Sequence, residues 1–205
     1  NKRIEAQNEI DVLLKDVDVK TADPLFDEYI RQNYLDNLLR GGYPLTIQTQ
    51  NKDFTYYLYS RKHGDLERDY NFFSIAPEYY SQGNGNFRDV CQNRRNDILF
   101  HPETGDYNIL VFGSLIQADG YNPLSINGST FEIEDKSVIK NLVQSIFTND
   151  DGTMEKLLNQ KFTPGSIINT MAGKGIVSND NDQMIFEKIF AHAHHKFLLR
   201  SLSLF

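Results

Sequence analysis

An Asp-Pro step at 23–24 and a Gly-Gly step at 41–42 enclose a run whose apolar residues recur every three or four positions. No other feature of the sequence constrains the fold as much. Asp23 is suited to cap a helix N-terminus, and Pro24 stands at the one helical position where a missing N–H costs nothing. Asp27 and Glu28 fall in the first turn, where the helix dipole favours anions, and the two glycines supply the stop. The spacing predicts a helix over Asp23 to Arg40. Phe26, Ile30, Tyr34 and Leu38, widened by Leu25, Tyr29 and Leu35, predict one broad buried face.

A second run starts at Asp135, with Val138, Ile139, Leu142, Val143 and Ile146 at helical spacing and the turn Asn149-Asp150-Asp151-Gly152 after it. Further helices are predicted at about 3–16, 87–99, 106–118, 152–160, 164–172 and 182–200, with Thr163-Pro164 as another cap-and-proline start. The count is about eight. Between the first strong helix and the next lies residues 43–86, where Phe54 to Tyr59 has strand propensity and the rest reads as loop. The fold class is therefore mainly α, with a long aromatic loop and a short β segment.

Composition narrows the function classes. A chain of 205 residues can bury one large core, and a 40% hydrophobic share with mean hydropathy of -0.50 leaves no apolar run near the length of a bilayer span. A membrane role is not expected. The N-terminal Asn-Lys-Arg-Ile-Glu-Ala-Gln carries neither a signal-peptide core nor an initiating Met and reads as the start of an excised segment. Cys91 is the single cysteine, which excludes an intrachain disulfide and a multi-thiolate zinc site and suits a reducing, cytoplasmic setting. A net charge of -7 repels phosphate backbones, so nucleic acid is not expected as a partner despite the basic pair Arg94-Arg95. Neutral sugars and small anions stay open.

The stretch 54–80 holds nine aromatic rings, from Phe54 through Tyr80, too many for a solvated linker. Arg61, His63, Asp65, Glu67, Arg68, Asp69 and Glu78 are interleaved with them. Gly83-Asn84-Gly85-Asn86 is a turn, and Phe87 to Asp97 follows. Aromatic faces against ring C–H surfaces, with Asp, Asn, Gln, Arg and His pairing to vicinal hydroxyls, are what a polyol requires. On a helix over 87–99, Arg88, Gln92 and Arg95 share a face while Asp89, Asn93 and Asn96 form an adjacent polar stripe. Two plainer readings stand beside this one: the charges of 88–97 as surface ion pairs worth less than about 1 kcal/mol each, and the aromatics of 54–80 as core.

Asn37-Leu-Leu-Arg-Gly-Gly-Tyr-Pro44, Ser60-Arg-Lys-His-Gly-Asp-Leu-Glu-Arg-Asp-Tyr70 and Gly85-Asn-Phe-Arg-Asp-Val-Cys-Gln-Asn-Arg-Arg95 resemble segments of cellobiose-phosphorylase-like proteins, a likeness that runs from about residue 20 to 195. Phe87-Arg-Asp89 with Gln92 is similar to the aromatic-Arg-Asp…Gln-Asp element of cellobiose and chitobiose phosphorylases, with Asn93 where those proteins have a second acid. The resemblance implies a six-hairpin α/α barrel whose loops hold the sugar, and a general acid that protonates the glycosidic oxygen in an inverting displacement. Water or inorganic phosphate is the attacking group, the latter as a co-substrate, and no other cofactor is implied.

Twelve barrel helices do not fit in 205 residues with their connections, so the chain is expected to be an incomplete segment of a larger catalytic domain. Its partners are then an oligosaccharide or disaccharide substrate, and the rest of the parent barrel or a second copy over exposed apolar helix faces. The candidate acids are Asp65 and Glu67, ahead of Asp69, Glu78, Asp97 and Asp119, and of Asp89, which the resemblance makes a sugar ligand. The substrate-binding candidates are Arg61, His63, Arg68, Arg88, Asp89, Gln92, Asn93 and Arg95. His192-Ala-His194-His195 reads as a solvated helical cluster rather than a metal site, Asp150-Asp151 as a turn and cap, and Gly173-Lys-Gly175 as a turn. The competing reading of the whole chain is a noncatalytic helical binding or docking segment, whose aromatic loop meets another domain of the parent protein.

Overall fold

Helix signals written in the sequence are used where they stand. In a computed structural model, which describes residues 1–58, 78–82 and 85–196, Asp23 Oδ1 accepts hydrogen bonds from the amides of Leu25 and Phe26 at 2.9 and 3.3 Å. The helix they open runs Pro24–Gly41 (α2) and closes at Gly42, whose φ of 94° lies in the region that glycine alone enters freely. Before it comes α1 (Lys2–Leu13), with no buried residue, and a 3-10 turn at Lys15–Val17.

A hairpin follows, β1 (Tyr43–Gln48) antiparallel to β2 (Asp53–Leu58), in the register Leu45 opposite Tyr56. The β2 strand matches the sequence expectation, whereas β1 falls in the stretch expected as loop. Two-residue strands β3 (Gly85–Asn86) and β4 (Ser125–Ile126) pair with each other. Between them lie α3 (Phe87–Arg94), α4 (Asp97–Phe100) and α5 (Tyr107–Ser114). The single helix expected over 87–99 is thus broken at Arg95-Asn96, and the break turns Asp97 under the hydroxyl of Tyr57.

The C-terminal half carries the main core. It comprises β5 (Thr130–Ile133), α6 (Ile139–Ile146), α7 (Thr153–Leu158), α8 (Pro164–Lys174), α9 (Asp182–Phe190) and β6 (Ala193–Lys196), with β6 antiparallel to β5. The caps are those expected: Asp150 Oδ1 accepts from the Met154 amide at 2.9 Å, Thr163 and Ser166 form a capping box, and Gly175 closes α8 in the left-handed conformation. Phe131 is fully buried at the centre, with Phe54, Phe190 and His195 within 5.7, 4.6 and 4.9 Å between ring centroids. Phe54 and Tyr56 of β2 join this core, so the plainer reading of those aromatics holds for the described part of the stretch.

Three expectations are corrected. Helix α9 does not continue through the histidines: the chain turns at Ala191-His192 and enters β6, because an edge beside β5 is left open for pairing. His195 is consequently not solvated but stacks on Phe131 and Tyr107. The face of α2 does not enter the core either. Leu25, Phe26 and Tyr29 are 79, 50 and 61% exposed. The architecture is mainly α-helical, with three small two-stranded sheets among the described residues.

Candidate functional site

The stripe of α2 that the periodicity assigned to a core is one wall of a cleft. Tyr29, Ile30, Asn33, Tyr34, Asn37 and Leu38 face Gln92 and Asn93 of α3, Arg95 and Asn96 in the break that follows it, and Phe100 and His101 at the end of α4, around a volume of about 460 Å³. Such a space suits a monosaccharide or disaccharide. Gly41 lets the two helices meet: a Cβ there would fall 2.8 Å from Asn93 Nδ2. Tyr34 and Phe100 put their rings 4.9 Å apart at 54°, giving the cleft an aromatic floor.

Part of the cleft's lining is a buried charge network that no spacing rule singled out. Arg94 is 6% exposed, its guanidinium 3.4 Å from the Tyr57 ring centroid, and its Nη1 donates to the Gly41 carbonyl and lies 3.9 Å from Asp97 Oδ2. Tyr57 donates to the same carboxylate oxygen at 2.7 Å and accepts from Asn108 Nδ2 at 2.7 Å. Burial raises the Asp97 carboxyl above its ordinary range, and Arg94, the Tyr57 hydrogen bond and His101 pull it back in part. Burial also raises the Tyr57 phenol, so it stays a donor at any physiological pH. This cluster joins β2, the end of α2, α3, α4 and α5, and holds the cleft's walls in register.

Of the sequence-predicted site residues, Gln92, Asn93 and Arg95 come together on the cleft. Arg88 and Asp89 do not join them: Arg88 is exposed on the far side of α3 and pairs with Asp89 at 2.9 Å, the surface ion pair of the plainer reading. Arg95 Nε donates to its own helix at Gln92 O, 3.1 Å away. Asp65, Glu67, Arg61, His63 and Arg68 lie outside the described residues, as do Gly83, Asn84 and positions 197–200 of the last expected helix. Asp97, ranked low as an acid, is committed to the buried network, and Asp119 sits in an exposed turn where it accepts from the Tyr121 amide. Sequence reading missed Tyr34, Asn33, Asn37 and His101. The only signal for the first three was an amphipathic helix with asparagines on its apolar flank.

Among the described residues, no group of three or more His, Cys, Asp or Glu is placed to hold a metal ion, and no helix is long and apolar enough to cross a membrane. No family model matches the chain, and no curated protein or solved structure shows significant similarity to it.

Proposed function

We propose that the chain is the carbohydrate-binding part of an inverting glycoside hydrolase or glycoside phosphorylase of the cytoplasm, a segment of a six-hairpin α/α barrel. The observation that carries this reading is the cleft between α2 and α3. Three side chains expected from the Phe87-to-Arg95 element to contact sugar, Gln92, Asn93 and Arg95, meet a wall of Asn33, Asn37 and Tyr29 across a space of sugar size. Amides and a guanidinium hydrogen-bond vicinal hydroxyls, and the tyrosines offer faces to ring C–H groups. In this reading Asp65 or Glu67 supplies the acid that protonates the leaving oxygen, and water or phosphate attacks from the opposite face. Isothermal titration with glucose, cellobiose and N-acetylglucosamine tests it. Saturable binding weakened in both Asn93→Ala and Arg95→Ala, and retained in Arg88→Ala, is expected; an intact chain that binds none of the three sugars sinks it.

A noncatalytic docking role is favoured by one separate observation. Leu99, Ile109 and Leu110 of α4 and α5 are 75, 76 and 62% exposed, apolar side chains that a docking partner would cover. A barrel segment whose neighbouring helices cover this face unites the two readings.

A further inference from the structure

Two polar atoms in the wall of this cleft are out of water and without a partner. The Tyr34 hydroxyl and His101 Nε2 are sealed from solvent and make no hydrogen bond among the described residues, and both side chains line the cleft. Leaving such an atom unsatisfied costs on the order of 1–3 kcal/mol, which native structures tolerate chiefly where something else supplies the bond. His101 is itself only 7% exposed, fixed against Tyr43 with ring centroids 4.9 Å apart.

The chemistry of the missing partner follows from the two atoms. His101 Nδ1 lies 3.4 Å from Glu103 Oε1, so in the neutral ring the proton sits on Nδ1 and Nε2 is an acceptor. Burial, with Asp16, Tyr43 and Asp97 adding to it, pushes the Tyr34 phenol up to about 12, which keeps it a donor. The partner must therefore donate to one atom and accept from the other. A pair of neighbouring alcohol groups does both. Phosphate, as its dianion, keeps one P–OH donor, so it differs from the alcohols in charge: two negative charges would enter beside the Asp97 carboxylate, whose cation Arg94 is already engaged.

Resting on the sugar-binding reading above, we propose that Tyr34 and His101 are the hydroxyl-reading pair of the cleft, which thereby selects a neutral polyol over inorganic phosphate. Any phosphate used as a co-substrate binds elsewhere. The side chains reach the ligand by a small rotation that opens their sealed atoms to it.

The test uses Tyr34→Phe, which removes only the unpartnered oxygen. The expected result is that the best-binding sugar of the glucose, cellobiose and N-acetylglucosamine panel binds at least about tenfold more weakly to Tyr34→Phe. The variant's melting temperature is expected to equal or exceed that of the wild type, since a cost has been removed. His101→Asn, which keeps an amide near Nδ1 and deletes Nε2, is expected to lose affinity likewise, and phosphate is expected not to compete. Unchanged sugar affinity in Tyr34→Phe overturns this inference while leaving the sugar site standing. Phosphate competition that Tyr34→Phe relieves overturns the choice of ligand. No sugar binding by the wild type overturns both readings together.

Discussion

Arg94 is where the structure makes its most quantitative claim. Replacing it by methionine keeps most of the stem's volume and discards the charge. The loss includes a desolvated cation–π contact with Tyr57, about 2 kcal/mol, and a charged hydrogen bond to the Gly41 carbonyl, roughly 1.5–3 kcal/mol. It also leaves the Asp97 carboxylate buried without its cation. Methionine packing on the Tyr57 ring returns about 1 kcal/mol. The net is a destabilisation of about 3–4 kcal/mol at pH 7, within the range for removing one partner of a buried pair, and for a domain of this size a fall in Tm of roughly 10 °C. The pH dependence has a definite sign. Asp97's folded-state pKa is raised, so the stability owed to its protonated form is present below the ordinary carboxyl value and is lost as pH rises through the folded one. Arg94 limits that loss; without it the folded value climbs further and the deficit grows between about pH 4 and pH 7. Urea denaturation at both pH values, on Arg94→Met, Asp97→Asn and the double variant, decides the matter. The double variant should cost at least about 1 kcal/mol less than the two single changes added together. A deficit under about 1 kcal/mol, equal deficits at the two pH values, or strict additivity refutes the assignment of Arg94 as Asp97's counter-charge.

Burial holds the His195 imidazole down at about 4 from an ordinary 6.5, so its contribution to stability is complete above pH 6.5 and is lost as pH falls through that window towards 4. Full protonation costs about 3 kcal/mol, and His195→Phe, which keeps a ring on Phe131, should flatten the wild type's stability loss between pH 6.5 and 4 in urea melts. Gly165→Ala would drive a Cβ to 2.3 Å from the Tyr79 carbonyl oxygen, a backbone atom that cannot step aside, and should cost about 1–3 kcal/mol by thermal melting. Phe131→Ala empties the centre of the aromatic core, and a loss of about 3–5 kcal/mol in denaturant midpoint is expected, with a value below about 2 kcal/mol meaning that the neighbouring rings collapse into the space.

Local signals in the sequence proved to be reliable where one residue's chemistry decides one backbone event. Asp23, Asp150, Asp151, Thr163, Gly42 and Gly175 all cap or close helices as their types predict, since a capping hydrogen bond forms within two to four residues and needs no tertiary context. Elements that depend on a distant partner were illegible. Strand β6 exists because β5 offers an edge more than sixty residues earlier in the chain, and nothing in Ala-His-His-Lys outweighs the helical run that precedes it. The break after α3 has the same origin: a helix through Asp97 is locally acceptable, but the Tyr57 hydroxyl and Arg94 hold the carboxylate in another direction.

The cleft follows the same division. Residue types suited to sugar could be read at 88–95, but which of them share a surface could not, because that depends on how α3 rolls against α2. Gly41 sets that roll by admitting Asn93, and it turns Gln92, Asn93 and Arg95 towards Asn33 and Asn37 while leaving Arg88 and Asp89 outside. The apolar stripe of α2 misled for a physical reason too. Periodicity reports only that one face avoids water on average, and a helix that lines a part-apolar cleft satisfies it as well as one that lines a core. What separates the two cases is polar atoms on that face which the fold leaves unsatisfied. The Tyr34 hydroxyl and His101 Nε2 are two such atoms, held on this cleft at a cost in stability.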